Sequence, residues 1–290
     1  MTVVLLALLA GVCFGVVNVA VRIALRRSPD AVIGGFVTAV IALALVFVIT
    51  LATTSPDEAH LGEAWPFLLI GLMVPGFSQI LWMGAIQNAG PSRAAVLMGT
   101  SPLLSALLAL VILSEPLSVP LAIGTLLVVA GGITLAWERV RPADFRGIGA
   151  VLAVCVAVCL AFRDNLVRLV ADDSPVPSLV AASALILGAC VLLLGHVLLV
   201  RRGRFPVGET LHAAVPFLPA GLFMGLVYVA LLSALDRGPV TVVAPLNGTN
   251  ALWTVLFAAL LLGRSEAVGR RLVLAAVLVV AGGALVAATR

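Results

Sequence analysis

Apolar and polar positions along this chain come in blocks and do not alternate. Ten runs of roughly 20 apolar residues, the length a helix needs to cross a hydrocarbon core, can be marked out. They cover Val3 to Val21, Val32 to Leu51, Trp65 to Ile86, Ala94 to Leu113, Leu117 to Trp137, Ile148 to Val170, Leu179 to Val200, Val215 to Leu235, Val240 to Leu262 and Leu272 to Ala288. The connections are too short to hold a soluble domain. The pattern predicts an all-α membrane protein with ten transmembrane helices. Composition agrees, since 62% of the 290 residues are hydrophobic and 10% charged, against about a quarter charged in a soluble domain. Seventeen basic and 13 acidic residues cannot coat a soluble core of this size.

The two halves resemble each other. "GVCFGVVNVAVRIALRRSP" (11 to 29) lies without a gap over "AVCLAFRDNLVRLVADDSP" (157 to 175), pairing Cys13 with Cys159, Asn18 with Asp164 and Arg22 with Arg168. "GP" at 90, "SE" at 114 and "VVAGG" at 128 recur in the same order at 238, 265 and 279. Ordered anchors of this kind mark a duplication, with one five-helix repeat over 1–138 and a second over 147–290. Five is odd, so the second copy enters the membrane from the opposite side, which predicts two inverted repeats. A connection that is cytoplasmic in one copy and external in the other should then lose its arginines, and "RRSP" becomes "DDSP".

The other connections follow suit. Those after spans 1, 3, 5, 7 and 9 carry most of the arginines, and those after spans 2, 4, 6 and 8 carry mainly Asp and Glu. Charge bias therefore places the odd connections in the cytoplasm and both termini outside. The net charge of +4 does not signal a nucleic-acid partner, because the arginines are scattered between apolar runs and form no single basic face. Cys13, Cys155, Cys159 and Cys190 lack disulfide or zinc spacing. His60, His196 and His212 have no second ligand nearby in sequence, so no metal is expected. The chain has no phosphate-binding "GxxxxGK", and no cofactor is expected. No cleavable leader is apparent, because the first run is long and lacks a basic start.

Candidate chemistry sits inside the spans. Arg163 and Asp164 lie in span 6, where a charge costs about 2.5–3.5 kcal/mol and is normally kept for function or paired. Asp164 and Arg168 are four residues apart on one helix face, so they either pair to secure the helix or serve binding and coupling. Asn18 is the neutral counterpart of Asp164, and Arg22 is expected to snorkel to the interface. Span 9 contains "APLNGTNALW" (244 to 253), with Asn247, Thr249, Asn250 and Trp253 beside Pro245; span 4 contains "LMGTSPLLS" (97 to 105), with Thr100 and Ser101 beside Pro102. Broken segments in matching places of both halves point to a transporter site, or else to packing kinks whose hydroxyls bond their own helix. Gln79, Trp82 and Tyr228 extend the candidate lining, with Tyr228 reading equally as an interfacial anchor. Glu115 is either a solvated acid at the start of span 5 or a gating group. Gly11 with Gly15, and the glycine pairs at 131 and 282, read as close helix contacts. Trp65 and Trp137 read as interfacial anchors.

The ten spans in two repeats, "FGVVN" (14 to 18), "TSPLLSALLALVILSEPLS" (100 to 118) and "GTLLVVAGG" (124 to 132) resemble the drug/metabolite transporter superfamily of the EamA type over nearly the whole chain. That resemblance implies a secondary permease in the cell membrane, often an exporter of amino acids or related metabolites. It also implies a cavity lined by spans 1, 3, 4, 6, 8 and 9, and cytoplasmic termini in opposition to the arginine count. The second repeat departs from the family pattern at "LLGRSEAV" (261 to 268). The expected partners are a small-molecule substrate, a coupling proton and the lipid bilayer, and the protein is expected to be a monomer or homodimer. The expected substrate-binding residues are Asn18, Gln79, Trp82, Thr100, Ser101, Arg163, Asp164, Tyr228, Asn247, Thr249, Asn250 and Trp253. Coupling or gating is expected from Asp164, Arg168 and Glu115. Two other classes remain open, an intramembrane enzyme acting on lipid-linked substrates and a noncatalytic membrane scaffold. The first would need a nucleophile with a base or a metal cluster, and the second has no use for matched helix breaks.

Overall fold

The structure is a computed structural model. It describes residues 2–101, 103–104, 119–137, 144–171, 174–235, 237, 243 and 246–287, without the side chains of residues 121, 136, 164, 168, 169, 171, 235, 264, 286 and 287. The described residues form helices joined by short turns, with no strand among them. The first half supplies α1 (Thr2–Arg27), α2 (Ala31–Thr53), α3 (Trp65–Gly71), α4 (Ser78–Ala89), α5 (Pro91–Met98) and α6 (Val119–Ala136). The second supplies α7 (Gly147–Ala171), α8 (Ser178–Val200), α9 (Val207–Leu235), α10 (Asn250–Leu261) and α11 (Arg270–Ala287).

Six helical stretches among the described residues are long and apolar enough to cross a membrane: Thr2–Arg27, Ala31–Thr53, Trp65–Ala89, Gly147–Val167, Ser178–Val200 and Val207–Ala234. Shorter apolar helices cover Ala122–Leu135 and Leu246–Leu261. The third span is interrupted. Pro75 cannot donate to the helix ladder, Val74 leaves helical geometry at φ −139°, and Leu72–Phe77 widens into a π-helical turn between α3 and α4. Large apolar side chains such as Phe47, Leu199, Val215 and Leu260 point outward, as a lipid-facing surface requires.

The strongest helix packing crosses between the repeats. The α1 helix packs on α9 and α10, and α7 packs correspondingly on α4 and α5. The α2 helix packs on α9 and α8, α3 packs on α8, and α6 pairs with α11. Exchanging each helix for its counterpart in the other repeat maps this set of pairings onto itself, so the repeats interleave around a common axis. Small residues permit the closest approaches. A Cβ on Gly131 would lie 2.7 Å from Val279, and one on Gly282 would lie 2.6 Å from the Gly124 carbonyl, which makes both glycines close contacts between α6 and α11. Gly132 has open space instead.

The described parts of the odd connections gather at one end, and the connections after spans 2 and 6 lie at the other. Arg201 joins Asp30 and Glu209, Arg22 joins Asp144 and Glu266, and Arg26 donates to Ser265 at 2.9 Å, which gathers the odd connections. At the other end, the α2 residue Thr50 meets Ser183 at 3.1 Å, and Ala59 and Ala64 pack against Val180. The exposed Trp65 and Trp137 lie at span ends.

Candidate functional site

The crossing of α1 with α10 brings the two repeats together. A Cβ on Gly15 would lie 2.6 Å from that of Trp253, and one on Gly11 would lie 3.0 Å from Thr249 Oγ1 and 3.1 Å from the Leu246 carbonyl. The absent side chains let the start of α10 press onto the α1 backbone. One turn further along α1, Asn18 is fully buried. Its Nδ2 donates to Thr254 Oγ1 at 3.0 Å, and its Oδ1 accepts from Trp82 Nε1 at 3.0 Å. A single carboxamide thus ties α1, α4 and α10. Phe14 stacks on Trp82 with centroids 6.0 Å apart, and Trp253 stacks on Phe257 at 6.1 Å.

Replacing Asn18 by leucine is expected to leave the Trp82 indole N–H buried without an acceptor, at a cost of about 1–3 kcal/mol. Thermal denaturation of the purified full chain checks this through a lowered midpoint, and an unchanged midpoint would refute it.

The polar groups of the span 9 segment at 246–250 divide. Thr249 Oγ1 donates to the Leu246 carbonyl at 2.6 Å, and Asn250 Nδ2 donates to the Asn247 carbonyl at 3.0 Å. The buried Asn247 Oδ1 has no hydrogen-bond partner among the described residues. In span 4, Thr100 Oγ1 donates to the Leu97 carbonyl at 2.7 Å, and Ser101 is half-buried. Gln79 is buried beside Gly35 of α2, and the half-buried Tyr228 packs between two apolar clusters. Arg163 is half-buried on α7. Asp164 and Arg168 belong to α7, but their side chains lie outside the described residues, as do Glu115, Pro102 and Pro245.

About 6 Å further along α1, the rise of four helical residues, stands a layer of charge. Arg22 is 4% exposed, Arg93 2% and Glu266 0%. Arg22 therefore does not snorkel; its guanidinium is drawn inward by acceptors. It donates to the Gln87 carbonyl at 2.9 Å and the Ile86 carbonyl at 3.4 Å, pairs with Asp144, and places Nε 3.3 Å from Glu266 Oε1. Arg93 donates to the backbone carbonyls of Glu266 at 2.9 Å and Ala267 at 3.4 Å. Neither Glu266 carboxylate oxygen has a hydrogen-bond donor among the described residues. Gly90, with φ +83°, lies against that carboxylate, where a Cβ would come within 2.4 Å of Oε2. Only glycine meets both the left-handed backbone and the lack of space. Burial pushes the Glu266 carboxyl above the usual carboxylate range, opposed by Arg22, Arg93 and Arg26 and reinforced by Asp144.

Pattern reasoning reads Arg93 and the other loop arginines as topological markers and singles out neither Thr254 nor Arg93 as a contact. The available signal is the repeated "SE", which ends at Glu266, together with "GPSR" at 90 to 93. No metal-binding cluster of His, Cys, Asp or Glu occurs among the described residues.

A family model described as the EamA-like transporter family matches residues 1–137 and again 147–288. A solved structure described as "Crystal structure of protein" shares the fold at a TM-score of 0.63, with 21% sequence identity, over 98% of this chain and 95% of that one. Among curated proteins none matches the sequence.

Proposed function

The chain belongs to the EamA-like transporter family, and from that premise we propose that it is a ten-helix secondary permease of two inverted repeats. It is a multi-pass membrane protein. In the proposed reading it lies in the plasma membrane and exports a small metabolite such as an amino acid by alternating access. The observation that carries the reading is the Asn18, Thr254 and Trp82 crossing. Polar side chains from both repeats meet there inside the helix packing, one helical turn from a buried charge layer at the arginine-rich end. A polar group costs free energy in that setting unless it is bonded, so the crossing is a joint whose partners must be exchanged when the repeats rock. Asp164 is the proposed substrate-ammonium ligand and proton carrier, and Arg163 and Arg168 balance its charge. Gln79, Tyr228, Asn247, Thr249, Asn250 and Trp253 complete the proposed lining.

Counterflow in proteoliposomes against a panel of amino acids and related metabolites tests this. Saturable uptake of one chemical class is expected, with thermal stabilisation by the same class. Stabilisation by lipid head-group donors alone, without counterflow, would favour an intramembrane enzyme instead.

A further inference from the structure

Among the described residues the buried Glu266 carboxyl has no hydrogen-bond donor, and its one ion pair is to Arg22 Nε at 3.3 Å, fewer contacts than a buried carboxylate normally has. It sits on the 3-10 turn Gly263–Glu266 between α10 and α11, outside the spans. The charged groups facing it are Arg22 and Arg26 from α1, Arg93 from α5, and Asp144 before α7, with the Gly90 backbone closing the remaining side. Arg271 of α11 donates to the Trp137 carbonyl. Arg22 does not depend on Glu266 for compensation, because Asp144 and two carbonyl oxygens already engage its guanidinium. Arg93 likewise donates to backbone carbonyls, and these remain whatever the state of the Glu266 side chain. A proton on Glu266 therefore relieves a buried charge while both arginines keep these acceptors, at the expense of the 3.3 Å ion pair with Arg22 Nε, which has no hydrogen-bond partner among the described residues.

We propose that Glu266 is a proton-binding site built into the arginine-rich end, which keeps that end closed while protonated and opens it as the proton leaves. The inference deepens the permease reading and rests on it for its purpose. Opening exposes residues 263–267 to water, where the carboxylate is hydrated and its affinity for a proton falls to the ordinary value. By linkage, the closed arrangement, in which the carboxyl is the weaker acid, is favoured below that raised range and loses its advantage as pH rises through it. The proton passes to water at the arginine-rich face. Each unit by which the closed site exceeds the open one in pKa biases closure by a factor of about ten.

The test uses the full chain in lipid nanodiscs and requires no cargo, so it stands apart from the transport assay. Infrared titration should show one carboxyl that keeps its proton to higher pH than the exposed carboxylates do. One component should vanish in Glu266→Gln and survive in Asp164→Asn. In a second measurement, Ser92→Cys places a thiol at the fully buried position beside Arg93, with the four native cysteines replaced by alanine. Its labelling by a membrane-impermeant reagent should rise with pH more steeply than labelling of the same thiol in Glu266→Gln. The comparison cancels the thiol's own titration. Identical profiles with and without Glu266 would overturn the proposal. So would a wild-type titration in which every carboxyl loses its proton together with the exposed ones, a result that depends on no substitution.

Discussion

Replacing Arg93 by alanine is expected to lower the stability of the protein by about 3–5 kcal/mol, from two buried carbonyls left without a donor at about 1–3 kcal/mol each and the cavity left behind. Arg93 is the largest fully buried side chain among the described residues. Its loss leaves the carbonyls of Glu266 and Ala267 without a donor, removes one cation facing the buried Glu266, and opens a cavity that the surrounding helices cannot fully close. These effects act where the turn before α5 meets the turn before α11, so both repeats lose a fastening together. The denaturation midpoint of the solubilised full chain should fall by on the order of 10 °C. Arg93→Lys keeps the charge but not the planar fork, and should recover only part of that loss. An unchanged midpoint in Arg93→Ala would remove the charge layer from the account of what holds this end shut.

Replacing Asp164 by asparagine is expected to abolish pH-driven accumulation while sparing exchange of the substrate. An intramembrane carboxylate is costly, and the repeat already shows that an amide is tolerated at this place, because Asn18 occupies the corresponding position of the first copy. Asp164→Asn therefore makes the second repeat match the first and removes only the titratable proton. With one proton exchanged per substrate, each unit of pH gradient supports about tenfold accumulation. In the variant the accumulation ratio should fall to the value without a gradient, and counterflow should continue. Undiminished accumulation would reject Asp164 as the carrier of the coupling proton. Because this substitution leaves Glu266 in place, the thiol-labelling profile of the arginine-rich end should survive it, which separates driving from gating.

Much of the architecture was legible before any coordinates. The apolar runs mark out six membrane-length helices and two shorter ones among the described residues, and the recurring "GP", "SE" and "VVAGG" anchors mark the duplication that the family match repeats, because transfer into hydrocarbon and duplication both leave local traces. Gly11 and Gly15 were readable as close contacts for the same reason, since a small residue on an apolar helix has few other uses. The interruption at Pro75 was also present in sequence, as a proline within an apolar run, yet it was not singled out. The fate of Arg22 was not readable. Its distance from the end of span 1 suits snorkelling, and only the arrival of Asp144 and Glu266 from distant connections draws it inward.

Sequence by itself determined that this is a helical membrane protein of the EamA type, with arginine concentrated in alternate connections. These are properties of short segments and their solvent, so residue order suffices to specify them. Only the tertiary structure decided that Asn18 bonds Thr254 and Trp82, and that Arg22, Arg93 and Glu266 lie in one buried layer instead of in separate wet loops. The physical reason is desolvation. Whether a charged side chain acts as a solvated marker or as a buried fastening depends on what covers it, and here the covering residues come from the opposite half of the chain.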